Sequence, residues 1–371
     1  MRVLLVAEQL RRAVPGGIGT YVRGLVAGSA DPDRDGVGDH ADARAPELTL
    51  LASAARRRTD PLRALAPLRT VPLPAAALTR LWDRDRLAAP SGYDVVHAAS
   101  LAFPPSPVTP LVVAVHDLAW RTVPDAFPDR GRRWHERALG RALAQAATLV
   151  VPSVDTADVL LAAGARPAAV EVLEPMYGCD HLPEADHAAA DSLLDRLGIA
   201  PGTPYLLTVG TMQPRKNLPR LAGAYAAARP RLPEPWPLVV VGPAGWGDAF
   251  VPPAGVVPAG EVGDAVLSAL YERARCLLYV PVHEGFGLPP AEAMRAGVPV
   301  VASPMPSTGG AALEVDPLDV DAMAGAIVTA AVDEGRRASL VEAGRRRAAG
   351  LSWRRAADRH REVWAGVGVP R

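Results

Sequence analysis

The residues whose type and spacing could do chemistry gather in a few short segments. In "PVHEGFGLPPAEAMRAGVPVVAS" (281–303), Glu284 and Glu292 stand eight positions apart with two glycines and two prolines between them. Two acceptor-only carboxylates beside a bare, glycine-lined turn suit a ligand rich in hydroxyls, which is to say a sugar. A helix-capping role accounts for Glu292 adequately and for Glu284 poorly. In "VGTMQPRKNLPRL" (209–221), Arg215 and Lys216 stand together before a helix beginning near Asn217. Adjacent cations at a helix N-terminus form an anion trap, arginine as a fork and lysine as a point charge. Lys216 is the only lysine among forty basic residues, which sets it apart from a solvated surface pair. His116 and Asp117 follow the apolar run "LVVAVH" (111–116), and His97 is placed similarly after "DVVHA" (94–98). The turn "PGGIGTYVRGLV" (15–26) could let backbone N–H groups approach an anion, or be a plain tight turn. It is not GxGxxG and no acidic residue suitably ends the next strand, which argues against a nicotinamide or flavin cofactor.

These segments need elements to hold them. Short apolar runs alternate with Ala/Leu/Arg-rich stretches of helical period, the pattern of βαβ units around a parallel sheet. Strands are predicted at 2–7, 48–52, 94–98, 111–116 and 148–153, then at 205–210, 238–242, 276–281 and 298–303. Their lack of polar alternation fits strands covered on both faces. The turn-rich stretch 174–191 marks a domain boundary, and 31–46 reads as a surface loop. Two domains follow, residues 1–178 and 179–353, with a closing amphipathic helix at about 354–371 that packs back on the first. In open α/β sheets ligands bind beyond the carboxyl ends of the strands, so two such edges facing each other predict a cleft. Pro289 and Pro290 suit the start of a helix that runs through Glu292, in its first turn, and ends at Gly297. Ser153 is expected to cap the helix after "VVPS".

Composition narrows the classes. The chain of 371 residues is 49% hydrophobic and 22% charged, ordinary for a globular protein of more than one core. Forty basic residues balance forty acidic ones, so nothing general recommends nucleic acid as a partner. Cys179 and Cys276 lack ligand or disulfide spacing, and a reduced, cytoplasmic protein is expected. No apolar run is long enough to span a membrane, and "MRVLLVAEQLRRA" does not read as a signal peptide. The basic, aromatic segment 127–143 is a candidate for peripheral contact with an anionic membrane at its inner face. No acidic cluster is placed by a nucleotide loop, so no metal is expected. No feature sets an oligomeric state.

Taken in order, "GGIGTYV", "LVVAVHDLAWRTVPDAFP", "YLLTVGTMQPRKNLPRL" and "HEGFGLPPAEAMRAGVPVVAS" resemble the retaining nucleotide-sugar glycosyltransferases of family 4, with their E-x7-E signature. The resemblance covers nearly the whole chain. It implies an α/β GT-B fold, two Rossmann-like parallel-sheet domains facing across a cleft. It implies donor contacts from Glu284 to the sugar hydroxyls and from Glu292 to the ribose. Arg215 and Lys216 would neutralise the diphosphate, and Gly17 would approach it from the other domain. His116 would reach the reacting sugar, and Gly285, Phe286, Gly287 and Leu288 would line the donor turn. Catalytic candidates are therefore His116, Glu284, Arg215 and Lys216. The implied activity is retaining, metal-independent transfer of a hexosyl unit, mannosyl from GDP-mannose as a first guess, to a glycan, lipid-linked or small acceptor. A non-catalytic sugar-nucleotide-binding protein, or an epimerase or phosphorylase of the same fold, is the alternative. Two departures stand out: "SPMPSTGGAALEVDP" (303–317) is short and lacks a Pro-Glu pair, and "VLEPMYGCD" alters the usual hinge.

Overall fold

The computed structural model describes residues 1–30, 45–55, 60–245 and 250–368, so most of the predicted loop 31–46 lies outside the described residues. The chain divides into two compact units, one of Met1–Trp120, Phe127–Gly178 and Ser352–Arg371, the other of Arg121–Ala126 and Cys179–Leu351. Among the described residues no helix is long and apolar enough to cross a membrane.

The first unit carries strands β1 (Arg2–Val6), β2 (Glu47–Ser53), β3 (Leu68–Val71), β4 (Val95–Ala98), β5 (Leu111–Ala114), β6 (Thr148–Val151) and β7 (Val170–Val172). They form one parallel sheet in the order β3-β2-β1-β4-β5-β6-β7. Helices α1 (Gly16–Ser29), α2 (Ala75–Trp82), α4 (Asp129–Gln145) and α5 (Val154–Ala162) cross between strands, with a short turn α3 (Ala119–Thr122) after β5. Ser153 caps α5, its hydroxyl accepting from the Thr156 N–H at 3.2 Å. The second unit holds β8 (Leu206–Val209), β9 (Leu238–Val241), β10 (Val256–Gly260), β11 (Cys276–Tyr279), β12 (Val300–Ala302) and β13 (Leu313–Glu314), parallel in the order β10-β9-β8-β11-β12-β13. Its helices are α6 (His187–Arg196), α7 (Leu218–Ala228), α8 (Asp264–Arg273), α9 (Leu288–Arg295), α10 (Val320–Val332) and α11 (Glu334–Ala349). The central strands β1, β4, β5, β8, β9 and β11 are almost wholly buried, as expected for a sheet covered on both faces. Both cysteines lie in the second unit. Cys276 is in β11, and Cys179 Sγ sits 3.3 Å from the Leu351 carbonyl. Burial pushes both thiols up to about 12.

The last helix, α12 (Trp353–Gly368), belongs to the first unit and buries Trp353, Ala356, Ala357, His360 and Trp364. Two glycines of α1 let it come close. A Cβ on Gly24 would lie 2.0 Å from Trp353 Cδ2, and one on Gly28 would lie 2.1 Å from the Trp353 carbonyl oxygen. A buried polar relay then fastens the pair. Since a carbonyl only accepts, His360 Nδ1 donates to Ala356 O (2.7 Å), and His360 Nε2 accepts from the Tyr21 hydroxyl (2.7 Å). Trp364 Nε1 donates to His97 Nδ1 (3.1 Å), so His97 Nε2 carries the hydrogen given to Tyr21 Oη (2.8 Å). Every polar side-chain atom of the relay is satisfied, and both imidazoles are neutral.

That neutrality has a pH cost with a definite sign. Burial lowers His360 from its ordinary 6.5 to about 4, and lowers His97 well below 6.5 with help from the neighbouring His360 and His116. Tyr21 and Trp364 pack against both rings, the nearby His116 lowers both further, and no carboxylate contributes to either shift. The unfolded chain therefore binds protons from about pH 6.5 downward while the folded one does not. Stability is whole above pH 6.5 and drains away as pH falls toward 4, by about 3 kcal/mol for His360 alone. Urea titrations at pH 7.5 and 5.0 should show this loss, and His360→Gln should reduce it, leaving the share that His97 contributes. An equal slope in both proteins would show that His360 does not cause it.

Candidate active site

After β8 the chain makes a 3-10 turn at Pro214–Lys216, and Asn217 (φ 63°) caps α7 in place of a glycine. The Asn217 side chain donates to Val280 O (3.0 Å) and Pro317 O (2.7 Å). The Val282 N–H donates to Arg215 O at 2.9 Å. These bonds lock the cation turn against the segment leaving β11, and Asn217 tolerates the left-handed backbone better than a branched residue would.

That segment brings Glu284 back onto the cations. Arg215 Nη1 donates to Glu284 Oε2 at 3.0 Å, and Lys216 Nζ donates to the same oxygen. Tyr279 Oη donates to it as well, at 2.8 Å, while accepting from Lys216 Nζ. Lys216 Nζ also lies 4.9 Å from the Tyr279 ring centroid. Burial would raise the Glu284 carboxyl, but the Arg215 and Lys216 charges and the bonds from Lys216 and Tyr279 outweigh it. The group is held far below the usual carboxylate range. Burial and the Glu284 charge push the Tyr279 phenol well up, so it keeps its proton to donate.

Gly285, Phe286 and Gly287 are buried and Leu288 is half-buried in the turn that follows. Gly287 (φ 90°) caps α9, and a Cβ there would lie 2.4 Å from Met305 Sδ. The short segment 303–310 packs directly on this turn: Ser303 Oγ donates to Pro281 O (2.7 Å), and the Ser307 N–H donates to Phe286 O (3.1 Å). Arg347 of α11 holds the segment from behind through Ser307 O and Pro306 O.

Glu292 differs from expectation. Because α9 starts at Leu288, Glu292 lies past its first turn and is 7% exposed. Its oxygens meet side chains rather than helix N–H groups: Tyr271 Oη donates to Oε2 at 2.8 Å, and His181 Nε2 lies 3.3 Å from Oε1. The helix does end as expected, with Gly297 at φ 77°.

In the first unit, Gly17 is an exposed residue of the first turn of α1 rather than part of a loop. His116 follows β5, and both of its ring nitrogens are engaged: Nε2 donates to Ala99 O (2.7 Å), so Nδ1 accepts from Tyr177 Oη (2.5 Å). Burial lowers its pKa and outweighs the Ala99 carbonyl, so the ring is neutral. Among the described residues, no group of three or more His, Cys, Asp or Glu side chains could hold a metal ion.

Sequence reasoning missed Tyr279, Tyr271 and His181. Tyr279 is hidden inside the apolar run "CLLYVP", where its only signal is a hydroxyl at the last strand position. His181 stands in the turn-rich stretch after Gly178, and Tyr271 in a helix without unusual pattern.

Two Rossmann-like units with parallel sheets, and a half-buried knot of two cations, a phenol and a carboxylate at a strand end, define the class: a glycosyltransferase of the GT-B fold. The chain matches the family described as "Glycosyltransferase Family 4" over residues 15–176 and that described as "Glycosyl transferases group 1" over residues 203–333. It is 30% identical over 306 residues to the O-antigen chain mannosyltransferase B of Escherichia coli, covering 78% of this chain and 80% of the relative. A D-inositol 3-phosphate glycosyltransferase of Thermomonospora curvata is 35% identical over 208 residues, 48% of this chain and 46% of the relative. Among solved structures, Anabaena Alr3699/HepE in complex with UDP-glucose aligns with a TM-score of 0.69 at 17% identity, over 99% of this chain and 100% of that one. WaaG, a glycosyltransferase involved in lipopolysaccharide biosynthesis, aligns with a TM-score of 0.64 at 16% identity, over 98% and 100%. The chain belongs to glycosyltransferase family 4.

Proposed function

We propose that the second unit binds a nucleoside-diphosphate sugar, and that the enzyme moves its hexosyl unit to an acceptor hydroxyl with retained configuration and without a metal. The observation that carries this reading is the convergence of Arg215, Lys216 and Tyr279 on Glu284. Breaking the bond between the anomeric carbon and the diphosphate gathers negative charge on the leaving group. Cations already in place stabilise that charge strongly, because nothing has to reorganise as it develops. Arg215 and Lys216 supply two positive charges where a carboxylate holds them in the resting site, and the diphosphate competes for them when it arrives. Glu284 then turns its acceptor capacity to the sugar hydroxyls. With two cations to neutralise the diphosphate, no metal is required for that role.

Retention is read from a front-face route, in which the departing phosphate oxygen takes the proton of the incoming hydroxyl as the new anomeric bond forms. No protein nucleophile is invoked. Mannose as the sugar and GDP as the carrier are favoured by the likeness to an O-antigen mannosyltransferase. A panel of GDP-, UDP- and dTDP-sugars, read by thermal shift and by nucleotide release with glycan acceptors, tests the reading. GDP-mannose is expected to give the largest shift. A shift without release under any acceptor would favour a binding protein, and consumption without an acceptor would favour an epimerase. Turnover is expected to survive EDTA, and loss that magnesium restores would overturn metal independence. Proton NMR of the product reads the anomeric configuration, and an inverted product would end the front-face route.

A further inference from the structure

Glu284 receives three donors, all on one atom. Arg215 Nη1, Lys216 Nζ and Tyr279 Oη converge on Oε2, and Oε1 has no partner among the described residues. The side chain is 13% exposed, so Oε1 is the acceptor that remains for a ligand. The donors differ in what a bound diphosphate would do to them. Arginine and lysine are drawn to its oxygens, because both are cations on long side chains. A phenol is not. Tyr279 ends β11, is 4% exposed and is paired in register to Ala302 of β12, so it stays where the sheet puts it.

We propose that Tyr279 is a positioning residue for sugar transfer. When the donor's diphosphate engages Arg215 and Lys216, the Tyr279 hydroxyl keeps hold of Glu284 Oε2 and leaves Oε1 for the hydroxyls of the donor sugar. This rests on the nucleotide-sugar reading above, and it names the group that keeps a half-buried carboxylate oriented once its cations are shared. A half-buried carboxylate that lost all three donors would turn toward whatever partner it could reach.

Tyr279→Phe tests the idea, since phenylalanine keeps the ring beneath Lys216 and removes only the hydroxyl. For the nucleotide sugar that wild type turns over, kcat/KM is expected to fall about 10- to 100-fold, the range of one charge-assisted hydrogen bond. The affinity for the nucleoside diphosphate alone, which needs the cations and not Glu284, is expected to change less than about twofold. Unchanged kcat/KM would overturn the proposal. So would an equal loss of diphosphate affinity, which would place the effect on the cations. Glu284→Gln supplies the second arm: in that background Tyr279→Phe is expected to cost little more, and a full repeat of its penalty would show that the hydroxyl does not act through Glu284. Wild type that binds no nucleoside diphosphate at all would sink the donor reading itself, an outcome distinct from equal activity in wild type and variant.

Discussion

Lys216→Ala is expected to lower turnover about 100- to 1,000-fold while the protein stays folded. The rate follows from what the ammonium faces. It is one of the two cations of the turn, and the developing charge on a diphosphate leaving group has only Arg215 left to use there. The intact fold follows from where the residue sits. Lys216 ends a short 3-10 turn that Asn217 and the Val282 N–H pin independently of the lysine side chain. Glu284 would still be met by Arg215 and Tyr279, so no charge is stranded without a partner. Single-turnover rates with the preferred donor, alongside a melting curve, check both halves. Full activity in folded Lys216→Ala would remove Lys216 from the site.

Gly24→Ala is expected to destabilise the first unit, although alanine is the better helix former by about 1 kcal/mol. The new methyl would stand 2.0 Å from the indole of Trp353, which is 3% exposed and has no room to retreat. Overpacking of this kind costs about 1–3 kcal/mol and more when a ring must move. The clash outweighs the propensity gain, and α12 has to lift away from α1, straining the Tyr21–His360 bond. Gly140→Ala in α4 is the control. Nothing lies within 4 Å of that Cβ, so the same exchange should stabilise, by about 0.5–1 kcal/mol. Opposite shifts of midpoint for the two variants in one denaturant titration are the expected result. Matching shifts would mean that α12 does not bear on Gly24.

The inner strands of both sheets were readable because burial on two faces leaves an unbroken apolar run, as in "LVVAVH" or "CLLYVP". The strands that close each sheet, β3 (LRTV), β7 (VEV), β10 (VVPAG) and β13 (LE), were not. Each has only one neighbour, is short and partly exposed, and carries polar residues or proline that mask the pattern. The site was legible where charge is rare, since a lone lysine beside an arginine and a glutamate outside any helix both need a reason. It was illegible where the working atom hides in an apolar word. Tyr279 reads as core, and its hydroxyl becomes meaningful only when the sheet brings residues 216 and 284 to its edge. The prolines favour a helix start at Pro289 or Pro290, which would put Glu292 in the first turn; α9 begins at Leu288, so they are its second and third residues and Glu292 its fifth. His97 and His360 are 263 positions apart in sequence, and no local pattern could have joined either to Tyr21.

The two sealed thiols give the second unit a built-in clock. An alkylating reagent attacks only thiolate, and at neutral pH neither Cys179 nor Cys276 forms it while enclosed, with both pushed up to about 12. Each added mass therefore timestamps an opening of that half of the molecule. The half fastened by tryptophans and histidines has no cysteine and passes unmarked. Pulsed alkylation followed by mass spectrometry can thus separate the breathing of the two halves with no label engineered in.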